Sequence, residues 1–171
     1  RRAALHTLRA AASDPRWRVR EAVAMALQLV GEADVEALKG ICDDWMQNAS
    51  LLEMRAIAAG LAHPPLLGDA AFAAYCIETA RTILAAVTRV DRAARRDDAF
   101  RVLRQGMGYA LSVFVVAAPA EGFVLMRKLA AVRDPDIAWI IRENLKKKRI
   151  AEKFPDEVKK VALIADEANA R

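Results

Sequence analysis

Turn signals recur at short intervals along this chain, and a segment with helical patterning follows each of them. The signals contain proline, glycine or an aspartate that can cap the next helix, and Asp14-Pro15 and Asp134-Pro135 are the clearest of them. They divide the sequence into predicted helices at 2–12, 14–30, 33–48, 51–62, 69–89, 97–118, 120–132, 134–149 and 155–169. The chain is therefore predicted to be all-α.

The composition agrees with this prediction. Hydrophobic residues, many of them alanine and leucine, make up 55% of the chain, whereas aromatic residues make up 6% and there are only 7 glycines and 6 prolines. A charged fraction of 29% completes the composition of a soluble globular protein and excludes disorder and fibres. Cys42 and Cys76 lie inside predicted helices without a metal or disulfide spacing, so we expect buried, reduced thiols.

The first residues and the apolar runs bear on where the protein is located. The chain opens RRAALHTLRAAA, without methionine and with helical periodicity already present, so we take Arg1 to lie inside a longer protein. This opening lacks the long apolar core and the cleavage site of a secretory signal. The longest apolar run, 107–120, is shorter than the roughly 18 residues of a membrane span. We therefore expect a cytoplasmic protein that does not contact a membrane.

An aspartate lies six residues before an arginine on three alternate predicted helices, and an aliphatic residue directly precedes each arginine. The pairs are Asp14 with Arg20, Asp98 with Arg104, and Asp136 with Arg142. A fourth copy keeps Met54 before Arg55 but has Ala49 in place of the aspartate. The arginines are 35, 49 and 38 residues apart, so each repeating unit is a pair of helices.

This pattern resembles the HEAT-type repeats, in which the second helix of each hairpin opens with an aspartate and carries a valine-arginine pair about one and a half turns later. The resemblance covers nearly the whole chain. It implies an α-solenoid in one domain, with about four antiparallel helix pairs and a C-terminal capping helix. The implied hairpins are 1–31, 32–62, 69–118 and 120–149, and the implied cap is 155–169.

The paired aspartates and arginines have a structural interpretation. In stacked hairpins a guanidinium can reach the carboxylate of its own or a neighbouring unit and fix how the repeats align. We therefore interpret the three pairs mainly as an inter-repeat ladder. A partly exposed ion pair contributes only about 0–1 kcal/mol, so an apolar core must supply most of the stability. On the first of these helices the predicted core stripe is Val19, Ala22, Val23, Ala26, Leu27 and Val30.

Two segments share one pattern, WRVRE at 17–21 and WIIRE at 139–143. Each tryptophan either packs beside the inter-repeat arginine or lies on the inner surface of the solenoid. On that surface an aromatic ring can stack on a base, and a cation can bind a phosphate. The candidates for contact with a partner are Trp17, Arg18, Arg55, Arg101, Trp139, Arg142 and Lys146.

The Trp-x-aliphatic-Arg pattern also resembles the alkylpurine DNA glycosylases built from HEAT-like repeats. That resemblance implies a positively charged concave face that holds duplex DNA, with aromatic residues and a catalytic carboxylate near the lesion. The acidic-aromatic cluster of this chain is Asp43, Asp44 and Trp45, on a helix that would face the convex side. No catalytic residue is therefore assigned.

The remaining motifs add no reactive group. Gly106 and Gly108 lie mid-helix with no strand before them, so they indicate a close helix crossing and not a dinucleotide site. His6 and His63 have no second ligand at metal spacing, and no metal or cofactor is predicted. No nucleophile with an identifiable base and no phosphate loop is present, so ordinary hydrolase or kinase chemistry has no support.

Two functions stay open. The first is a non-enzymatic HEAT-repeat binding or scaffold domain whose concave basic face holds a protein or polyanionic partner, in keeping with a net charge of +5 and a pI near 9.5. The alternative is a DNA-binding protein of the glycosylase type, with or without base excision. The alternative requires one continuous basic track made of Arg18, Arg55, Arg101, Arg142 and Lys146.

Overall fold

The computed structural model of the protein describes residues 2–170, without the side chain at 169, and all regular secondary structure in that range is helical. Ten α-helices and two 3₁₀ turns, Pro64–Leu66 and Ala94–Arg96, occur in that range, and no strand does. The α-helices are α1 (Arg2–Ala11), α2 (Trp17–Ala33), α3 (Val35–Met46), α4 (Leu51–Leu61), α5 (Ala70–Arg89), α6 (Asp98–Ala117), α7 (Pro119–Ala130), α8 (Pro135–Leu145), α9 (Lys148–Ala151) and α10 (Pro155–Asn169). The all-α prediction is confirmed.

Capping side chains define several helix starts. Asp34, Asp69 and Asp134 each accept a hydrogen bond from a backbone N–H in the first turn of the helix that follows. Ser50 and Glu53 form a capping box at the start of α4. The predicted cap at Asp134 is therefore confirmed.

The structure departs most from the predicted helix boundaries at the start of α2 and within 134–149, and the other ends differ by up to three residues. The helix predicted from residue 14 begins at Trp17, because the Asp14 carboxylate accepts the N–H of Arg16 and Arg16 itself is extended. The helix predicted over 134–149 is two helices, since the backbone of Lys147 is extended and separates α8 from α9. Both departures matter for the surface described below.

Alternate helices pack into a row. α4 packs against α2, α6 against α4, and α8 against α6, and we call these four the row helices. The helices α3, α5 and α7 connect them and each packs on its row neighbours, while α10 packs against α7 and α8. The row helices are those that carry Arg20, Arg55, Arg104 and Arg142.

One cluster of apolar side chains fills the space between the helices. Trp45, Phe72, Phe100 and Phe114 are among its largest fully buried members. Burial of this much apolar surface is the main source of stability for this fold. Cys42 and Cys76 are free and buried, as predicted, and burial raises the pKa of the Cys42 thiol to about 12.

The core stripe of α2 differs in part from its prediction. Val23 and Leu27 are buried as expected, and Ala24 is buried as well. Ala22 is exposed, because it lies on a side of α2 that no described helix covers. The prediction for Ala22 was therefore wrong.

The two glycines of α6 lie at close helix crossings, as predicted. A Cβ atom on Gly108 would lie 2.9 Å from Cζ3 of Trp139, a residue of α8. A Cβ atom on Gly106 would lie 3.3 Å from Cγ of Arg55, a residue of α4. The absence of a side chain at both positions lets the neighbouring row helices approach α6.

One helix, α5, is long and apolar enough to cross a membrane by length and composition alone. From the sequence, the longest apolar run is 107–120, and no run was expected to be long enough to span a membrane. Half of the apolar window of α5 is buried inside this fold, as in the core helix of a soluble protein, so the feature is weak evidence for a membrane span.

Candidate binding surface on the row helices

Arginines connect neighbouring row helices through ion pairs. Arg55 of α4 binds the carboxylate of Glu21 on α2 and also donates to the Arg20 carbonyl oxygen at 3.4 Å. Arg104 of α6 places Nε 2.8 Å from Oδ1 of Asp136 on α8, an ion pair without the alignment of a hydrogen bond. The guanidinium of Arg104 also lies 3.8 Å over the ring of Trp139.

Asp14 and Arg20 do not form the predicted pair between a carboxylate and a guanidinium. Arg20 is buried, and its Nη1 donates to the backbone carbonyls of Asp14 and Pro15 at 2.8 and 3.1 Å. The Asp14 carboxylate instead accepts two hydrogen bonds from the Arg16 side chain, which hold the pKa of Asp14 at about 2. Arg20 therefore fixes the turn before its own helix.

The other two predicted pairs also have different partners. Asp98 pairs with the exposed Arg101 at 3.3 Å, and Arg104 turns to Asp136 on the neighbouring row helix. Arg142 is exposed and makes no ion pair or hydrogen bond through its side chain to any residue in 2–170. Of the four repeat arginines, Arg55 and Arg104 thus make ion pairs between row helices, and Arg142 stays available to a partner.

Arg95, which was not among the candidate residues, binds two carboxylates of α8 and the turn before it. It donates to both carboxylate oxygens of Asp134 at 2.8 and 2.9 Å and to Oδ2 of Asp136 at 2.9 Å. Burial opposes the charged form of Asp134. The hydrogen bonds from Arg95 and from two backbone N–H groups of α8 outweigh this effect and lower the pKa of that carboxyl. Arg95 lies in a 3₁₀ turn, where no helical period marks it, within a stretch, 81–104, that holds seven arginines against three aspartates.

The two tryptophans of the shared pattern have opposite environments. Trp17 is 60% exposed, with the Arg18 guanidinium 5.2 Å from the centre of its ring. Trp139 is half-buried between Arg104 and Gly108. The packing interpretation therefore describes Trp139, and only Trp17 offers an open aromatic face.

Most members of the hypothetical basic track have an acidic neighbour. Arg55 binds Glu21, Arg101 pairs with Asp98, and Nζ of Lys146 lies 2.5 Å from Glu143 Oε1. Within residues 2–170, Arg18 and Arg142 are the members of that set without a carboxylate partner. The neighbouring carboxylates reduce the positive potential that a phosphate would meet along this face.

A cavity of about 470 Å³ opens beside α6, between the loop that follows α4 and the short helix α9. Tyr109, Val113, Val116 and Ala117 of α6 line it together with Pro64, Leu67, Gly68 and Arg149. The guanidinium of Arg149 donates to the hydroxyl oxygens of Tyr109 and Ser112 at 3.2 and 3.3 Å. No carboxylate among the described residues pairs with Arg149, so the cavity combines an apolar lining with an uncompensated cation.

The break that forms this cavity has no signal in the sequence. Residues 146–149 look like cations at the end of one long helix. The extended backbone at Lys147 instead starts a new helix and directs Arg149 back onto α6. The break between α8 and α9 carries no proline or glycine, so no turn signal indicated it.

The acidic-aromatic cluster on α3 has a structural environment. Trp45 belongs to the buried core, and the Asp43 carboxylate accepts the Tyr75 hydroxyl at 2.8 Å. Asp44 is exposed, with Arg9 Nη1 3.9 Å away. None of the three residues of this cluster lines the cavity beside Arg149.

No protein-family model matches this chain, and no curated protein or solved structure is significantly similar to it. The geometry therefore defines only a broad class, an all-α protein with alternate helices packed in a row. Within the described part, the cavity beside Arg149 is the place where apolar lining and free charge converge.

Proposed function

We propose that this chain is a non-enzymatic binding domain of the HEAT-repeat type, an α-solenoid whose row helices hold a protein partner. The observation that carries the proposal is the cavity between α6, α9 and the loop after α4. The row of alternate helices, with ion pairs between α2 and α4 and between α6 and α8, supports the repeat interpretation.

The lining of the cavity indicates the chemistry of the partner. A volume of about 470 Å³ falls within the range of ligand pockets, and the apolar side chains of Leu67, Val113 and Val116 favour an apolar occupant. Arg149 presents a guanidinium that can bind a carboxylate through charge-assisted hydrogen bonds. The partner is therefore a peptide segment with a large apolar side chain next to an aspartate or glutamate.

The DNA-binding alternative has weaker support. A duplex is held mainly through its phosphates, which require several cations free to bind along one track. Three of the five candidate cations already have carboxylate partners at 3.3 Å or less. Trp17 with Arg18 is the remaining feature that suits a nucleic acid.

Selection from a phage-displayed library of random peptides tests the proposal. We expect the wild type to enrich peptides that combine an aromatic or aliphatic residue with an acidic one. Arg149→Glu should weaken the selected peptides at least about tenfold, because it reverses the charge that binds the carboxylate. Ala117→Trp should weaken them by filling the cavity. Lys128→Glu, an exposed charge reversal on α7, serves as the control and should have no effect.

Two results would count against this function. Peptides that bind both cavity variants as tightly as the wild type would show that the cavity is not used. In a parallel titration with a fluorescent DNA duplex, with and without an alkylated base, we expect only weak binding. Submicromolar binding that weakens steeply with salt would instead support the DNA-binding alternative and an excision assay.

A further inference from the structure

One face of α2 is exposed along its whole length. Residues 18, 22, 25, 29 and 32 recur at helical spacing and therefore share one side of the helix. All five are exposed, and the apolar Met25 and Leu29 are 61% and 65% exposed. We call the surface formed by Arg18, Ala22, Met25, Leu29 and Glu32 the α2 face.

On the other row helices, several residues of the corresponding face lie against the row helix before them, although Tyr109, the α6 equivalent of Met25, is 49% exposed. Aligned on the repeat arginines, Met25 corresponds to Gly60 of α4, which lies against Leu27 of α2. Ala22 corresponds to Gly106 of α6, which lies against Arg55 of α4. Contact with the preceding row helix is thus a recurring feature of this face. In α2 the same face is covered by no described helix.

On α8 the residue equivalent to Ala22 is Asn144, which makes hydrogen bonds to the preceding row helix. Asn144 is fully buried and accepts the N–H of Ser112 while its amide donates to the Met107 carbonyl, both on α6. At the same place α2 has Ala22, which can make no such hydrogen bond. The α2 face is therefore suited to an apolar contact rather than to this polar one.

The charges of the α2 face are complementary to themselves in one orientation only. Arg18 and Glu32 lie seven residues on either side of Met25. If two copies of α2 pair antiparallel about a two-fold axis at Met25, each Arg18 lies opposite the other copy's Glu32, and the apolar residues meet between them. Parallel pairing would place like charges together. Glu32 also contacts His63 in its own copy and remains 47% exposed.

We propose that the α2 face is a homodimer interface, in which two copies of this chain pair antiparallel through α2. Met25 and Leu29 supply the apolar centre, and the two pairs of Arg18 with Glu32 set the orientation. The interface extends the packing of the row helices, with a second copy in the place of a preceding row helix. The interface shares no residue with the lining of the cavity beside Arg149, and the proposal does not depend on the function proposed for that cavity.

Sedimentation velocity over a concentration series tests the interface. We expect a dimer for the wild type, and a dissociation constant raised about 30-fold or more by Met25→Asp or Leu29→Asp, as for a central apolar contact. The control is Leu163→Asp on α10, since Leu163 is 60% exposed and lies outside the α2 face. This variant should dimerise like the wild type, as should Arg149→Glu. Thermal unfolding verifies that each variant is folded.

Two further variants test the antiparallel orientation. Arg18→Glu alone should weaken the dimer, and adding Glu32→Arg should restore it, because the exchanged charges are complementary again. Met25→Cys should form an intersubunit disulfide under mild oxidation, since the two copies of residue 25 meet at the axis. Both native cysteines are buried and do not interfere. Leu163→Cys should not cross-link.

A wild type that stays monomeric at about 100 µM, well above the dissociation constants of ordinary stable dimers, would overturn the proposal and leave the α2 face to a different helix. A dimer that survives Met25→Asp and does not cross-link through Met25→Cys would also overturn it, because the interface would then lie elsewhere. An Arg149→Glu variant that loses peptide binding but still forms the dimer would support the function proposed for the cavity and leave the dimer interface unchanged.

Discussion

The pattern Trp-x-aliphatic-Arg-Glu occurs near the start of both α2 and α8, yet the two copies are buried in opposite ways. In α2 the tryptophan is 60% exposed and Arg20 is only 8% exposed. In α8, Trp139 is half-buried and Arg142 is exposed. The same five-residue pattern therefore produces two different local structures.

The position of the helix start explains the arginines. α2 begins at Trp17, so the carbonyls of Asp14 and Pro15 precede the helix and can accept hydrogen bonds from Arg20. α8 begins at Pro135, four residues before its tryptophan, so the equivalent carbonyls lie inside the first turn and accept intrahelical bonds. Arg142 has no free carbonyls at that place and extends into solvent.

The neighbouring helix explains the tryptophans. α8 packs against α6, which supplies Arg104 above the Trp139 ring and the space left by Gly108 beside it. No described helix lies on the corresponding side of α2, and Trp17 is left with only Arg18 over its ring. The burial of the tryptophan in this pattern therefore depends on whether another row helix precedes the helix that carries it.

Replacing each tryptophan tests this comparison with the largest expected effect. Trp139→Ala should lower the free energy of unfolding by about 3 kcal/mol, because it removes a large packed ring and its contact with Arg104. Trp17→Ala should change it by less than about 0.5 kcal/mol, since most of that ring is in water. Urea denaturation of both variants measures the difference. Equal losses would contradict the assigned environments.

The arginines should show the reverse order. Arg20→Ala should lower the free energy of unfolding by about 2 kcal/mol, because two carbonyls before α2 lose their donor and a buried side chain is lost. Arg142→Ala should have an effect within about 0.5 kcal/mol, as expected for an exposed residue without a partner. A larger loss for Arg142→Ala than for Arg20→Ala would show that the ladder interpretation was right for α8.

How far the sequence predicts this structure depends on whether a feature is local. The helices follow from turn residues and helical periodicity, and the close crossings follow from Gly106 and Gly108 in the middle of a helix. Each of these signals involves only a few neighbouring residues. The partners of the arginines do not follow from such signals. Asp98 and Arg104 have the right spacing in sequence, but Asp136 is reached across the row and its carboxylate is also bound by Arg95.

The candidate site was less predictable than the fold. The cavity depends on where Arg149 is directed, and that depends on one extended residue, Lys147, within a run of four cations. No proline, glycine or capping side chain marks the break, so the run has the appearance of a continuous helix end. Arg95 lies in a three-residue 3₁₀ turn and Arg149 in the four-residue helix α9, and both elements are too short for periodicity to give information.

The starts of α2 and α8 should also respond differently to acid. Arg95 and two amides lower the pKa of Asp134 in the folded state, so its stabilisation is present above the unfolded pKa of about 3.9 and is lost as the pH falls through the folded value. Asp134→Asn should lower the free energy of unfolding by about 1–2 kcal/mol at pH 7. The difference from the wild type should disappear in strong acid.

The corresponding control is Asp14→Asn. The pKa of Asp14 is lowered to about 2 mainly by Arg16, but the Arg16 side chain is exposed and the two residues are only two apart in sequence. Such a contact persists partly in the unfolded chain and is screened by salt, so its loss should have a smaller, salt-sensitive effect. Chemical denaturation from pH 2 to pH 7 measures both variants. A larger acid-dependent loss for Asp14→Asn would contradict the different roles of the two aspartates.

The smallest expected effect comes from the glycine that receives Trp139. Alanine normally stabilises the middle of a helix by about 1 kcal/mol relative to glycine. Gly40→Ala in α3 should show this gain, since a Cβ atom there would meet nothing within 4 Å. Gly108→Ala should instead lose about 1 kcal/mol, because its Cβ would lie 2.9 Å from the Trp139 ring and displace it. In a Trp139→Ala background the same substitution should become stabilising, and an unfolding double-mutant cycle measures that change of sign. If Gly108→Ala remained destabilising without the tryptophan, the close approach of α6 and α8 would have to depend on a contact other than the ring.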